Sequence, residues 1–274
     1  MRIYFTNDMH GHLQAVEWLE REAAPLLRSG EALYLDSGDA LLGSHTVWRR
    51  REPILERMRS LPCAAMAMGN RELNYLRSVL QLRQKERGFP LLCSNLGDLK
   101  VHPHLDLEGI IDLNRSPLEL PWPSASSPSA ATSPWVPALT WLTPASQPFN
   151  LTLLGATPVQ YPPHSWWEPL FRLRFFDPLI VLPPLAKYYS HPPSGKAARL
   201  IILSHLGLEL DRQLAPLLPE GTWILGGHSH TVLERPQGLG GAMIAQTGSW
   251  ARHIAQIEYD WDSPLESEYR LLDL

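Results

Sequence analysis

The chain has 274 residues, 44% of them apolar and 19% charged, with a formal net charge of −4 and a pI near 6.3. That balance gives enough apolar mass for a large core and no basic field for nucleic acid or an anionic membrane. No apolar run approaches the roughly 18 residues needed to cross a bilayer, and the opening residues lack the charged and apolar regions of a signal peptide.

Taken in chain order, a strand-like run at Arg2–Phe5 leads into Thr6-Asn7-Asp8-Met9-His10-Gly11-His12. Leu13–Ser29 has helical apolar spacing, with Pro25 expected to break it. Ala32–Leu35 precedes Asp36-Ser37-Gly38-Asp39, and Glu52–Leu61 reads as a helix with Pro53 at its start. Cys63–Met68 precedes Gly69-Asn70-Arg71-Glu72, and a helix is expected over Arg71–Arg87, closed by Gly88. Leu200–Leu203 leads into Ser204-His205-Leu206-Gly207, then a short helix at Glu209–Leu218. Trp223–Leu225 leads into Gly226-Gly227-His228-Ser229-His230-Thr231. Pro90–Cys93, Leu151–Gly155, Ala242–Gln246 and Ile254–Tyr259 are further strands. Strands alternating with helices predict an α/β fold, organised as one domain over residues 1–274.

Of 26 prolines, 18 fall between Pro103 and Pro193, a stretch that also holds Trp122, Trp135, Trp141, Trp166 and Trp167. Residues 114–148 read as an irregular Pro/Ser/Trp-rich surface insertion, mobile around Ser124–Ser133. The tryptophans from Trp122 to Trp167 either fill gaps beneath a long loop, form a lid over an aromatic substrate, or offer a protein partner a docking surface. Cys63 and Cys93, in separate apolar stretches without C-x-x-C spacing, are expected to be buried reduced thiols of a cytoplasmic protein.

Each of the five polar clusters alone is ordinary turn chemistry. Together they place carboxylate, imidazole and carboxamide groups after five strands, where α/β sheets collect functional groups. If those strands run parallel in one sheet, the clusters meet along one edge. Asp8, His10, Asp39, Asn70, His205, His228 and His230 are the candidate metal ligands. Seven ligands exceed the needs of one ion and suit two divalent cations sharing a bridge, manganese foremost, with zinc or iron as alternatives. Such a pair can activate a hydroxide for attack on phosphorus, and the neighbouring glycines are expected to leave room for a phosphate.

The motifs Thr-Asn-Asp-x-His-Gly-His-Leu, Asp-Ser-Gly-Asp-Ala-Leu-x-Gly-Ser, Gly-Asn-x-Glu, Ser-His-Leu-Gly and Gly-Gly-His-Ser-His-Thr resemble, in order, those of the calcineurin-like metallophosphoesterases. The likeness is to the catalytic domain of the bacterial 5′-nucleotidase group and covers most of residues 1–98 and 149–260. It implies a four-layer α/β/β/α sandwich of two mixed sheets flanked by helices. It also implies that Asp8, His10 and His230 hold one metal, that Asn70, His205 and His228 hold the other, and that Asp39 bridges. The nucleotidases' separate base-gripping domain has no counterpart in these 274 residues, so the resemblance implies a small phosphorylated substrate without fixing it.

Relatives carry Gly-Asn-His-Glu, often followed by Phe-Asp, where this chain has Gly69-Asn70-Arg71-Glu72-Leu73-Asn74. Asp39, Asn70 and Arg71 are the candidate catalytic residues. Arginine keeps a positive charge and can grip two phosphate oxygens, but its pKa above about 12 disqualifies it as a proton donor. The expected activity is a two-metal phosphomonoesterase or phosphodiesterase that favours good leaving groups. The alternatives are a metal-holding pseudoenzyme or interaction module, and a single-metal hydrolase of other esters. Arg71 can also be read as a plain ion-pair partner of Glu72 or of another surface carboxylate. His12 is a candidate substrate contact or turn cap, and Arg49-Arg50-Arg51 a candidate anion guide or a solvated face.

Overall fold

The alternation of side chains along each strand decides how the layers stack. In the computed structural model, described for residues 1–42, 52–74, 76–121, 134–193 and 195–274, the strands are β1 (Arg2–Thr6), β2 (Ala32–Asp36), β3 (Ala65–Ala67), β4 (Leu91–Leu92), β5 (Leu96–Asp98), β6 (Leu118–Pro121), β7 (Ala138–Leu142), β8 (Asn150–Ala156), β9 (Leu173–Phe175), β10 (Ala198–Ser204), β11 (Thr222–Gly226), β12 (Gln237–Leu239), β13 (Ala242–Ala245), β14 (His253–Glu258) and β15 (Glu268–Asp273). One sheet has the order β15-β14-β1-β2-β3-β4 and the other β12-β13-β11-β10-β8-β7-β6, while β5 and β9 form a small ribbon. Both large sheets are mixed. β1 runs parallel to β2 and antiparallel to β14, and β10 runs parallel to β8 and β11 while β7 runs antiparallel to β8.

Ile3 and Phe5 of β1 meet Ile201, Leu203, Trp223 and Leu225 of the opposite sheet in one fully buried cluster. The alternate residue Tyr4 faces the other way, against α1 (Gln14–Glu22), α2 (Ala24–Ser29), α3 (Pro53–Ser60) and α4 (Arg77–Arg87). Leu200 and Ile202 likewise face away from the inter-sheet layer, against α5 (Leu107–Leu113), α7 (Pro178–Ser190) and α8 (Leu208–Leu214); α6 is the short helix Trp167–Phe171. A period of two on both sheets therefore yields helix, sheet, sheet, helix, the expected four-layer sandwich.

Several expectations need correction. The Leu13–Ser29 run does break ahead of Pro25, into α1 and α2, but helical structure resumes at once, with Pro25 in the first turn of α2 where its missing N–H is harmless. The helix expected over Arg71–Arg87 begins only at Arg77, because Gly69–Asn74 is spent on a turn beneath the ligands. Residues 114–148 are not wholly irregular: β6 and β7 join the second sheet, Trp141 lies in the inter-sheet core and Trp135 is buried. Low charge and many prolines masked these two strands, of which β6 forms the edge of the sheet. Trp166 and Trp167 are exposed and lie against one another, centroids 3.5 Å apart and planes tilted by 30°. Trp122 and Ser124–Ser133 lie outside the described residues, as do His45 and Arg49–Arg51.

The α7 helix went unread in the sequence because it contains Pro183 and Pro184. Val181, Leu182, Leu185, Ala186 and Tyr189 carry its buried face at helical spacing. The prolines sit on the half-buried side, where carbonyls left without a partner can be reached by water. No helix among the described residues is long and apolar enough to cross a membrane.

Candidate metal centre

The five polar clusters come from two sheets, not one. Asp8 and His10 follow β1, Asp39 follows β2 and Asn70 follows β3, all at the carboxyl edge of the first sheet. His205 follows β10, and His228 and His230 follow β11, at the carboxyl edge of the second. Because the sheets lie face to face with these edges together, all seven side chains converge. Asp8, His10, Asp39, His228 and His230 have φ of 50°, 51°, 54°, 72° and 55°, a left-handed backbone that is costly without glycine. Hydrogen bonds across the loops hold it: the Asp8 N–H donates to Gly38 O and the His10 N–H to Asp39 O, both at 2.9 Å.

Two groups share Asp8. In one, Asp8 Oδ1 lies 3.3 Å from His230 Nε2 and 3.8 Å from His10 Nε2, with the two imidazole nitrogens 3.0 Å apart. In the other, His205 Nε2 lies 3.3 Å from Asp39 Oδ1 and 3.9 Å from Asp8 Oδ1. Asn70 Nδ2 and His228 Nδ1 stand 3.3 Å apart beside them. Asp8 and His205 are fully buried, whereas His228 and His230 reach solvent.

Burial works against charge on His205, but Asp39 first, then Asp8 and Glu72, outweigh it and push its pKa up to about 9. Burial also opposes the charge of Asp39, yet His205 and the Arg71 N–H hold its pKa down to about 2. Burial and then the charge of Arg71 bring His10 down to about 4. The carboxylates thus concentrate negative potential where imidazoles converge.

The supporting residues were hardly legible in the sequence. Asn7 donates to Asp8 Oδ2 and to Gly248 O, both at 2.7 Å, and accepts from Thr247. The buried Glu72 accepts backbone N–H groups of Asp39 (2.7 Å), Gly69 (2.9 Å) and Leu41 (3.2 Å), tying the β2 and β3 loops together. Under the second sheet's loops, Ser204 and Gln246 donate to the buried Asp211, and Ser229 donates to Gln246. Gly69 and Gly227 lie directly against candidate ligand side chains. A Cβ at Gly69 would stand 2.4 Å from Asp39 Oδ1, and one at Gly227 would stand 2.9 Å from Asp8 Oδ2, so both glycines make room for ligand side chains.

Arg71 does not pair with Glu72. Its guanidinium donates to Leu42 O and lies 3.7 Å from Asp39 Oδ2, with about a third of the side chain exposed. Asn74 accepts the Leu76 N–H and so shapes the turn ahead of α4. His12 is exposed, and its backbone N–H closes the turn onto Met9 O.

The donor set fits divalent cations. Asp8 Oδ1 and His205 Nε2 are buried without a hydrogen-bond partner, which is costly unless a cation supplies the missing interaction. His205 Nδ1 donates to Ser37 O at 2.7 Å, which aims Nε2 at the cluster.

No family model matches the chain. Over 96% of its length it is 24% identical to YunD of Bacillus subtilis (strain 168), an uncharacterized metallophosphoesterase of which it spans half. The calcineurin-like phosphoesterase YfkN of Bacillus subtilis superposes on the whole chain with a TM-score of 0.63 at 16% identity, covering 90% of that structure. The chain has the calcineurin-like metallophosphoesterase fold. A 5′-nucleotidase precursor from Thermus thermophilus shares this metallophosphoesterase fold, with a TM-score of 0.68 at 18% identity over all of this chain and 54% of its own. The chain thus spans about half the length of that nucleotidase, as it does of YunD.

Proposed function

We propose that the chain is a metal-dependent hydrolase of a small phosphomonoester or phosphodiester, nucleotide-like substrates included. The observation that carries this reading is the buried pair Asp8 Oδ1 and His205 Nε2, aimed without a hydrogen-bond partner into a cluster of carboxylates and imidazoles. Asp8, His10 and His230 would hold one cation and Asn70, His205 and His228 the other, with Asp39 between. When bound, the cations would supply Lewis acidity and a nucleophilic water near neutral pH. The nucleotidase and metallophosphoesterase names of the similar proteins support this class. Cys63 and Cys93, free and buried, suit the reducing cytoplasm.

In this reading Arg71 holds the phosphoryl group from the side of Asp39, Leu42 O fixing the guanidinium. A water oxygen bonds to phosphorus, one of its protons passing to solvent, as the bond to the leaving oxygen breaks, and a solvent proton neutralises that oxygen because Arg71 cannot. Low-pKa leaving groups gain most from such a site. A phosphoester panel with manganese, zinc or magnesium, read with elemental analysis, tests this. The expected result is metal-dependent turnover of 4-nitrophenyl phosphate far above that of a simple alkyl phosphate. Equal turnover of the two removes the role given to Arg71, and bound metal with no turnover across the panel makes the chain a metal-holding module.

A further inference from the structure

One aromatic ring at the centre is used neither for ligation nor for the core. Trp250 is 43% exposed. Trp250 and Ala251 have φ of 62° and 55°, two successive non-glycine residues in the left-handed region, a strained arrangement for so bulky a side chain. The loop is held there by its contacts with the ligands. The Trp250 N–H donates to Asp8 O at 2.7 Å, and Gly248 O accepts from Asn7. The loop that clamps Asp8 therefore carries the indole outward. Its centroid lies 6.5 Å from that of His230, tilted 60°, and the Arg252 guanidinium sits 4.9 Å from the indole centroid.

Backbone strain kept at a metal-facing loop, with a large flat ring turned to solvent, is the arrangement of a binding surface. We propose that Trp250 is a stacking platform that selects phosphoesters bearing a flat aromatic ring, an ester-bound aryl group or a nucleobase. This rests on the phosphoester reading above and names the substrate class of the same site. The platform lies on the His230 side, where the cluster opens to solvent, so a phosphate held at the cluster directs its substituent past the indole. Arg252 braces the ring through a cation–π contact, limiting its rotation.

Titration calorimetry of the manganese- or zinc-loaded chain with phenylphosphonate and methylphosphonate, neither hydrolysable, tests the platform. A nucleoside 5′-monophosphonate against its ribose-only counterpart forms the second pair. Stacking predicts about tenfold tighter binding of the aromatic member in at least one pair, and the responding pair tells aryl from nucleobase. Trp250→Ala should bring the ratio near one, Trp250→Phe should keep most of it, and metal content should match in all three. Trp250→Leu, apolar but without a π-face, serves where alanine loosens the loop. Equal affinities in both pairs, binding of neither member, or a ratio that survives Trp250→Leu overturns the platform. Aromatic-selective binding without turnover of the matching phosphates defeats the hydrolase reading and leaves the platform standing. Turnover with no aromatic preference does the reverse.

Discussion

The two ligand groups that share Asp8 differ in their access to water. Asp8, Asp39 and His205 are all buried, and His205 is locked from behind by Ser37 O. Asp8, His10 and His230 form a wall with an open side, since His230 is exposed and stands beside an exposed Trp250. Fields in a dry enclosure are strong and their ions exchange slowly, whereas an open coordination site trades ions and admits substrate. On the metal-dependent reading proposed above, the buried group would hold its ion and the open one would exchange it.

The sharpest way to break this comparison is to remove a ligand from each group. Asp8→Ala takes away the member common to both and should abolish stable binding of both ions, with turnover down at least about a thousandfold. His230→Ala should release only the more weakly held ion, leaving about one per chain by elemental analysis after dialysis. Two ions retained in His230→Ala, or one in Asp8→Ala, would refute the division.

A smaller effect is expected beneath the first sheet's loops. Glu72→Gln turns one of its acceptor oxygens into a donor facing backbone N–H groups, at a cost of about 2 kcal/mol. Thermal unfolding of the metal-free protein should then fall by about 5 °C. An unchanged Tm would mean that the β2 and β3 loops do not depend on that carboxylate.

The smallest effect lies under the second sheet. Burial, opposed by Ser204 and Gln246, raises the Asp211 carboxyl pKa to about 7. The folded chain therefore binds this proton more tightly than the unfolded chain. The stability it contributes is present below the usual carboxyl pKa of about 4 and is lost as pH rises through about 7. Between pH 6 and 7 the metal-free wild type should lose stability relative to Asp211→Asn by about 1 kcal/mol, followed by denaturant unfolding. Parallel curves would show that the pair with Ser204 keeps Asp211 ionised throughout.

The parts legible in the sequence were those set by local pattern. Apolar runs such as Arg2–Phe5 and Leu200–Leu203 announced their strands, and the seven candidate ligands stood out because each cluster follows such a run. What stayed hidden was set by tertiary contact. Nothing near Asn7 announces that it spans two segments 241 residues apart, and nothing local to Gln246 points to Asp211. Prolines concealed α7, whose buried face outweighs their local cost. Trp250 was overlooked because an isolated tryptophan after a strand carries no signal of its exposure.

The clamp on Asp8 also bears on how the molecule is made. Asn7 and Asp8 are fixed by Gly248 and Trp250, and β1 is fixed by β14, so a ribosome must traverse some 240 residues before these partners exist together. Contacts so distant along the chain close late and slowly. During synthesis the histidines and aspartates are dispersed donors without geometry, so on the metal-dependent reading high-affinity metal capture would be deferred until the fold closes. The order of translation would thereby place folding before metallation.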